Sequence, residues 1–169
     1  FMIDGYPVTL PYYREATMTE HELTPPAART GVWQAISEAA STGDFILQVC
    51  ESCESVQYPP RELCGNCLKD ELEWKQVSNK GRLISNTVLH ASTNAFFRAY
   101  GPRQIALVKL DSGAVLFAHM AHNKAQPGDN IYLLNRLDLS GEGVFIAIIE
   151  GSDEKTQLDE FKILLLQNN

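Results

Sequence analysis

The sequence predicts a mainly β protein with an N-terminal helix, a small metal ribbon and a five-stranded barrel. Three observations predict it. Four cysteines, the only ones in 169 residues, form two Cys-x-x-Cys pairs, Cys50/Cys53 and Cys64/Cys67, with ten residues between the pairs. A stretch of helical period precedes them. Residues 80–150 then divide into five apolar runs separated by turn signals.

Two Cys-x-x-Cys loops facing each other make a tetrahedral thiolate cage, the ligand set and spacing of a structural zinc ribbon. Disulfides are disfavoured because nothing in the chain points to secretion. Thioredoxin-like redox chemistry needs one such pair beside a βαβ pattern, not two. A tetrahedral S4 site also suits iron; we assign zinc. Four thiolates fill the coordination sphere, so the metal is structural and holds no place for substrate.

Composition narrows the function classes. The hydrophobic fraction of 44% and charged fraction of 21% are those of an ordinary globular chain. No apolar run is long enough to span a membrane as a helix. The first residues lack a basic-then-apolar signal pattern. A cytoplasmic protein with reduced thiols is the expectation. The formal net charge of −7 argues against a nucleic-acid groove, which needs a basic footprint.

Taken in order, residues 1–29 read as an extended arm, with Pro7, Pro11, Pro25 and Pro26. Tyr6, Tyr12 and Tyr13 could pack it on a neighbouring subunit; the alternative is a disordered tail. Residues 30–44 hold the helix, over Gly31 to Ser41, with Thr30 placed to cap it and Gly43 to end it. Trp33, Ile36, Ser37 and Ala40 share one face. The ribbon spans 45–79. Phe45–Val49 is its first strand, Val56–Tyr58 the returning strand, and Leu72, Trp74 and Val77 mark a third. So small a unit draws much of its folding energy from metal.

The barrel is expected over 80–151. Its strands are Gly81–Ala91, Arg103–Asp111, Ala114–Ala121, Asp129–Arg136 and Gly143–Glu150. Ile105–Val108 and Val144–Ile149 are apolar on both faces and require cover on both sides. Five short strands suit an OB-type barrel. Residues 122–128 are too few for the helix such barrels usually carry there, so the N-terminal helix is the candidate plug. The tail, 152–169, fits either a helix presenting Leu158, Phe161, Leu164 and Leu165, or a strand over Phe161–Leu166.

The connection Ser92–Pro102 is long for a compact domain, and long loops are often functional. It carries Phe96, Phe97, Arg98 and Tyr100, with Arg103 just after. Aromatic faces stack on a flat base, and arginines pair with phosphate. One reading is a surface for a nucleotide-bearing ligand such as coenzyme A, or for a protein partner. The other is that both phenylalanines fold back onto the barrel. His21, His90, His119 and His122 form no triad arrangement, and no phosphate loop or nucleophile elbow is present.

Phe45–Cys53, the Gln57-Tyr-Pro-Pro-Arg61 stretch, Cys64–Cys67, Gly81 and Ile105–Leu110, in this order, resemble a known family. It joins a rubredoxin-like zinc ribbon to an acyl-CoA-associated OB-fold, and was long catalogued as a domain of unknown function. The resemblance covers roughly residues 30–150. It implies a noncatalytic accessory subunit in a hetero-oligomer. The catalytic partner would have the thiolase fold: a thiolase, an HMG-CoA synthase-like enzyme or a steroid side-chain aldolase. An enoyl-CoA hydratase partner is the alternative. The barrel would help bind the acyl-CoA. Cys50, Cys53, Cys64 and Cys67 carry over as metal ligands; no catalytic residue carries over, and the aromatic connection is no family motif. A nucleic-acid-binding ribbon and an enzyme acting alone are the rival classes.

Overall fold

The computed structural model describes residues 2–3, 6–7, 23–27, 30–121 and 125–166. Tyr12, Tyr13, His21 and His122 lie outside them. Near the start, β1 (Met2–Ile3) pairs antiparallel with β2 (Tyr6–Pro7).

The helix begins with a 3-10 turn, Gly31–Trp33, and continues as α1 (Gln34–Thr42). Thr30 does not cap it through its side chain; its carbonyl accepts from the Trp33 N–H at 2.8 Å instead. The tight turn satisfies a donor that the hydroxyl would have taken. Gly43 ends the helix in the left-handed conformation, φ 79°.

The ribbon is a three-stranded antiparallel sheet in the order β4-β3-β5. Its strands are β3 (Ile46–Cys50), β4 (Val56–Gln57) and β5 (Leu72–Gln76). Two cysteine turns hang from it. Val77, predicted in the third strand, lies one residue past β5 and packs on the core.

The barrel strands are β6 (Lys80–Leu89), β7 (Arg103–Leu110), β8 (Val115–Met120), β9 (Asn130–Leu137) and β10 (Gly143–Ile149). They close in the order β10-β8-β7-β6-β9. All neighbours are antiparallel except β10 and β8, which run parallel with Ile146 opposite His119. This is the OB-fold arrangement. A register irregularity between Leu83 and Ser85 bends β6, and Ile84 turns outward there.

Leu83, Val108, Leu116, Leu133 and Phe145 fill one core, which Ile36 of α1 and Phe45 and Leu47 of the ribbon join. Helix and barrel approach closely at Gly143, where a Cβ would lie 2.8 Å from the Ile36 carbonyl oxygen. The Trp33 indole N–H donates to the Gly143 carbonyl at 3.3 Å, and the Gly143 N–H donates to Ser37 Oγ at 2.9 Å. Asn135, fully buried, donates its amide to the carbonyls of Ile36 and Asp44. Those bonds bridge the end of α1 to β9.

A second core covers the outside of β10. Ile146 and Ile148 point outward and are fully buried against Phe96, Phe161 and Leu164. The cover comes from α2 (Ala95–Tyr100), α3 (Glu154–Asp159) and the turn after it. Thus 92–102 is not a loop throughout. Asn94 caps α2 by accepting from the Phe97 N–H at 3.2 Å, and Gly101 stops it. The tail is neither one helix nor a strand: α3 ends at Asp159, residues 161–164 turn, and Leu165 bridges to Asp138.

Candidate functional site

Strand β3 delivers Cys50 to the end of the ribbon, and the chain reverses twice around one centre. The Glu54 N–H donates to the Cys50 carbonyl at 2.8 Å, and the Leu68 N–H to the Cys64 carbonyl at 3.0 Å. Glu54 and Leu68 have φ of 58° and 62°. The same turn is therefore built twice, each time with a left-handed residue just after the second cysteine. It brings Cys50 and Cys67 sulfurs to 3.5 Å and those of Cys53 and Cys64 to 3.6 Å, and all four lie within 4.8 Å of one another. A tetrahedral zinc with Zn–S bonds of about 2.3 Å needs sulfurs roughly 3.8 Å apart. The four thiols are arranged for metal binding.

The surroundings favour thiolates. The Asn66 N–H points at Cys64 Sγ at 3.4 Å, and its side-chain amide at Cys53 Sγ at 3.6 Å. Hydrogen bonds from the Ser55 side chain and backbone, then Asn66, lower the Cys53 pKa to about 6. At Cys67 the Lys69 backbone N–H acts downward, but burial and the three neighbouring thiols outweigh it and push the pKa up to about 12. Metal binding takes the thiolate form of all four cysteines and so displaces their protons.

Sequence reading missed the clamp behind the cage. Gln48, buried in β3, donates to the Arg61 carbonyl at 2.9 Å and accepts from the Arg61 N–H at 2.8 Å. Gln57 donates to Gln48 at 3.0 Å and accepts from the Gly65 N–H at 2.9 Å. Two glutamines thus tie the second cysteine turn to the sheet. A glutamine flanked by Leu47 and Val49 in an apolar strand was the available signal.

The five residues of the aromatic connection come together, but not as an open stacking platform. Phe96 is buried, with Phe97 edge-on to it at 5.2 Å and Tyr100 stacked on it at 5.8 Å. The Tyr100 hydroxyl donates to the Glu160 carbonyl at 3.1 Å. Arg98 is exposed and donates to the Thr93 carbonyl. The Arg103 guanidinium lies 4.0 Å from the Phe97 ring centre. Beneath them, His119 packs between Phe97 and Phe161. Burial, then the Arg103 charge, pull its pKa down to about 4, so the ring is neutral near pH 7. Among the described residues, neither His119 nor the exposed His90 hydrogen-bonds a nucleophile or a carboxylate.

Among the described residues, a different surface is left exposed at Phe117 and Val115. On the outer face of β7 and β8, Ile105 pairs with His119, Leu107 with Phe117 and Lys109 with Val115. Phe117 is 64% exposed and Val115 39%. Beside them a groove of 310 Å³ runs between Trp33, Tyr58, Phe117, His119 and Val144. Ribbon, helix and barrel all contribute to its wall. The alternation Val115, Phe117, His119 was legible as one strand face, but not that the face would stay uncovered.

Fold and cysteine cluster together define a protein of the zinc-ribbon type joined to an OB-fold barrel. Residues 37–73 match the ChsH2 rubredoxin-like zinc ribbon domain, and residues 74–129 the ChsH2 C-terminal OB-fold domain. The chain belongs to this ChsH2 family. A DUF35 domain-containing scaffold protein of Methanocaldococcus jannaschii is 28% identical over 120 residues, 70% of this chain and 79% of the relative. A protein of Thermomonospora curvata named "Probable enoyl-CoA hydratase alpha subunit" is 26% identical over 83 residues, 49% of this chain and 25% of its own length. Among solved structures, a chain of the Ltp2-ChsH2(DUF35) aldolase superposes with a TM-score of 0.58 at 23% identity, covering 73% of this chain and 97% of that one. No helix among the described residues is long and apolar enough to cross a membrane.

Proposed function

We propose that this chain is a noncatalytic accessory subunit of an acyl-CoA enzyme with the thiolase fold. Cys50, Cys53, Cys64 and Cys67 would hold one structural zinc. The apolar face of β7 and β8 that the described residues leave exposed at Phe117 and Val115 carries the reading. An apolar strand face led by a phenylalanine 64% exposed is costly in water and suits a permanent protein contact. The metal cage braces that face from one side, because Tyr58, three residues before Arg61 and its glutamine clamp, packs on Phe145 at the barrel.

The scaffold and aldolase names of the relatives support an accessory role. The aldolase name also supports a catalytic partner that uses carbon–carbon bond chemistry. A hydratase partner is the second reading, and the Thermomonospora curvata relative supports it. On either reading the barrel's groove beside Phe117 faces the partner, and the acyl-CoA belongs to the complex. The test is turnover of acyl-CoA esters by the purified, zinc-loaded chain alone. None is expected, and robust turnover by the isolated subunit overturns the proposal.

A further inference from the structure

Arg103 opens β7 at the edge of the second core, at the end of the strand opposite Lys109. Its guanidinium rests 4.0 Å from the centre of the Phe97 ring and is half-buried. The ring supplies a cation–π contact, which uses none of the guanidinium N–H donors. Among the described residues Arg103 makes no hydrogen bond and no ion pair. An arginine partly withdrawn from water is normally matched by a carboxylate or by carbonyls. This one is unmatched in a chain with 21 acidic residues and a net charge of −7. Arg98 on the same connection shows the contrast, being exposed and satisfied by the Thr93 carbonyl.

Arg103 borders a pocket of 270 Å³ whose other walls are Tyr100, Pro102, Gln104, Met120, Phe161, Ile163 and Glu160. Its lining is mostly apolar, and Ile163 is 65% exposed at the rim. The Tyr100 hydroxyl is already committed to the Glu160 carbonyl. His119, behind Phe97, is neutral and adds no second charge.

We propose that this pocket binds an oxyanion, carboxylate or phosphate, carried on a short apolar group. The Arg103 fork would take two oxygens, and the apolar part would lie on Pro102, Phe161 and Ile163. Stacking on Phe97 fixes the guanidinium beforehand, so little side-chain freedom is lost on binding. Glu160 lines the same pocket and has a partner of its own. The site is independent of the metal and of the accessory-subunit reading.

The test is a titration of the full zinc-loaded chain with butyl phosphate, butyrate and neutral butanol, followed through the Arg103 side-chain N–H and the Tyr100 and Ile163 amides by NMR. Both anions should shift these signals saturably, and butanol should bind at least about tenfold more weakly. Arg103→Gln should lose at least about tenfold, and Arg98→Gln should change nothing. Should Arg103→Gln fail to fold, Arg103→Lys, which keeps the charge without the fork, should still weaken anion binding. Repeating the titration on the chain bound to its co-purified enzyme separates two sources of the oxyanion. A pocket that still binds takes a free small molecule; a blocked pocket already holds a partner carboxylate. Equal binding by Arg103→Gln and the unaltered chain, or equal binding of butanol and butyrate, overturns the proposal.

Discussion

Replacing Phe117 with alanine separates docking from folding. Phe117 is 64% exposed, so the isolated chain gains little from its ring. A phenylalanine offers roughly 200 Å² of surface, and docking would remove the exposed share, roughly 130 Å². At about 25 cal/mol per Å² that is about 3 kcal/mol, or about a hundredfold in Kd. The same substitution should change the unfolding free energy of the free chain, measured by urea denaturation, by less than about 1 kcal/mol. The assay is calorimetric titration of the zinc-loaded chain into the partner enzyme, with denaturation of the free chain as control. The reasoning is refuted if Phe117→Ala binds within twofold of the unaltered chain, or if it unfolds the free chain.

Three further outcomes follow from the site and its frame. Cys64→Ser should release the metal, from one equivalent to none by elemental analysis, and abolish complex assembly through loss of the ribbon; a fully active, metal-free complex contradicts this. Leu68→Gly should stabilise the metal-loaded chain by about 0.5–1 kcal/mol, because relief of left-handed strain exceeds the added freedom of glycine in the unfolded chain; Leu68 is 74% exposed at φ 62°, so little packing is lost, and a lowered urea midpoint would refute it. His119 has a folded pKa lowered from 6.5 to about 4, so the unfolded chain takes up the proton first. Its contribution is therefore complete above pH 6.5 and lost as pH falls towards 4; the urea midpoint of the unaltered chain should fall more steeply than that of His119→Gln across this range, and equal slopes would contradict it.

The cage and the barrel were legible for a local reason. Cysteine spacing is a property of the chain, and strand alternation survives any tertiary arrangement, so Cys50 to Cys67 and the five barrel strands could be read directly. The connection after β6 was misread because its aromatics drew attention from its punctuation. Asn94 and Gly101 are cap and stop signals, and between them Ala95–Tyr100 forms a helix. The tail stayed ambiguous because Phe161–Leu166 is apolar without a period, and only the outer face of β10 decides which residues turn inward. Gln48 and Asn135 look like surface residues in sequence. Their burial follows from carbonyls of Arg61, Ile36 and Asp44 that only the folded chain brings to them. Likewise Phe117 could be placed on a face of β8, but that nothing in the described chain covers that face is a fact of the whole arrangement.

The most direct test of the accessory-subunit account is affinity purification of the zinc-loaded chain from its native cell, with Phe117→Ala in parallel and the bound protein identified by mass spectrometry. The account predicts a thiolase-fold acyl-CoA enzyme, recovered in near-stoichiometric amount with the unaltered chain and depleted with Phe117→Ala. Recovery of the chain alone, accompanied by acyl-CoA turnover of its own, would contradict it.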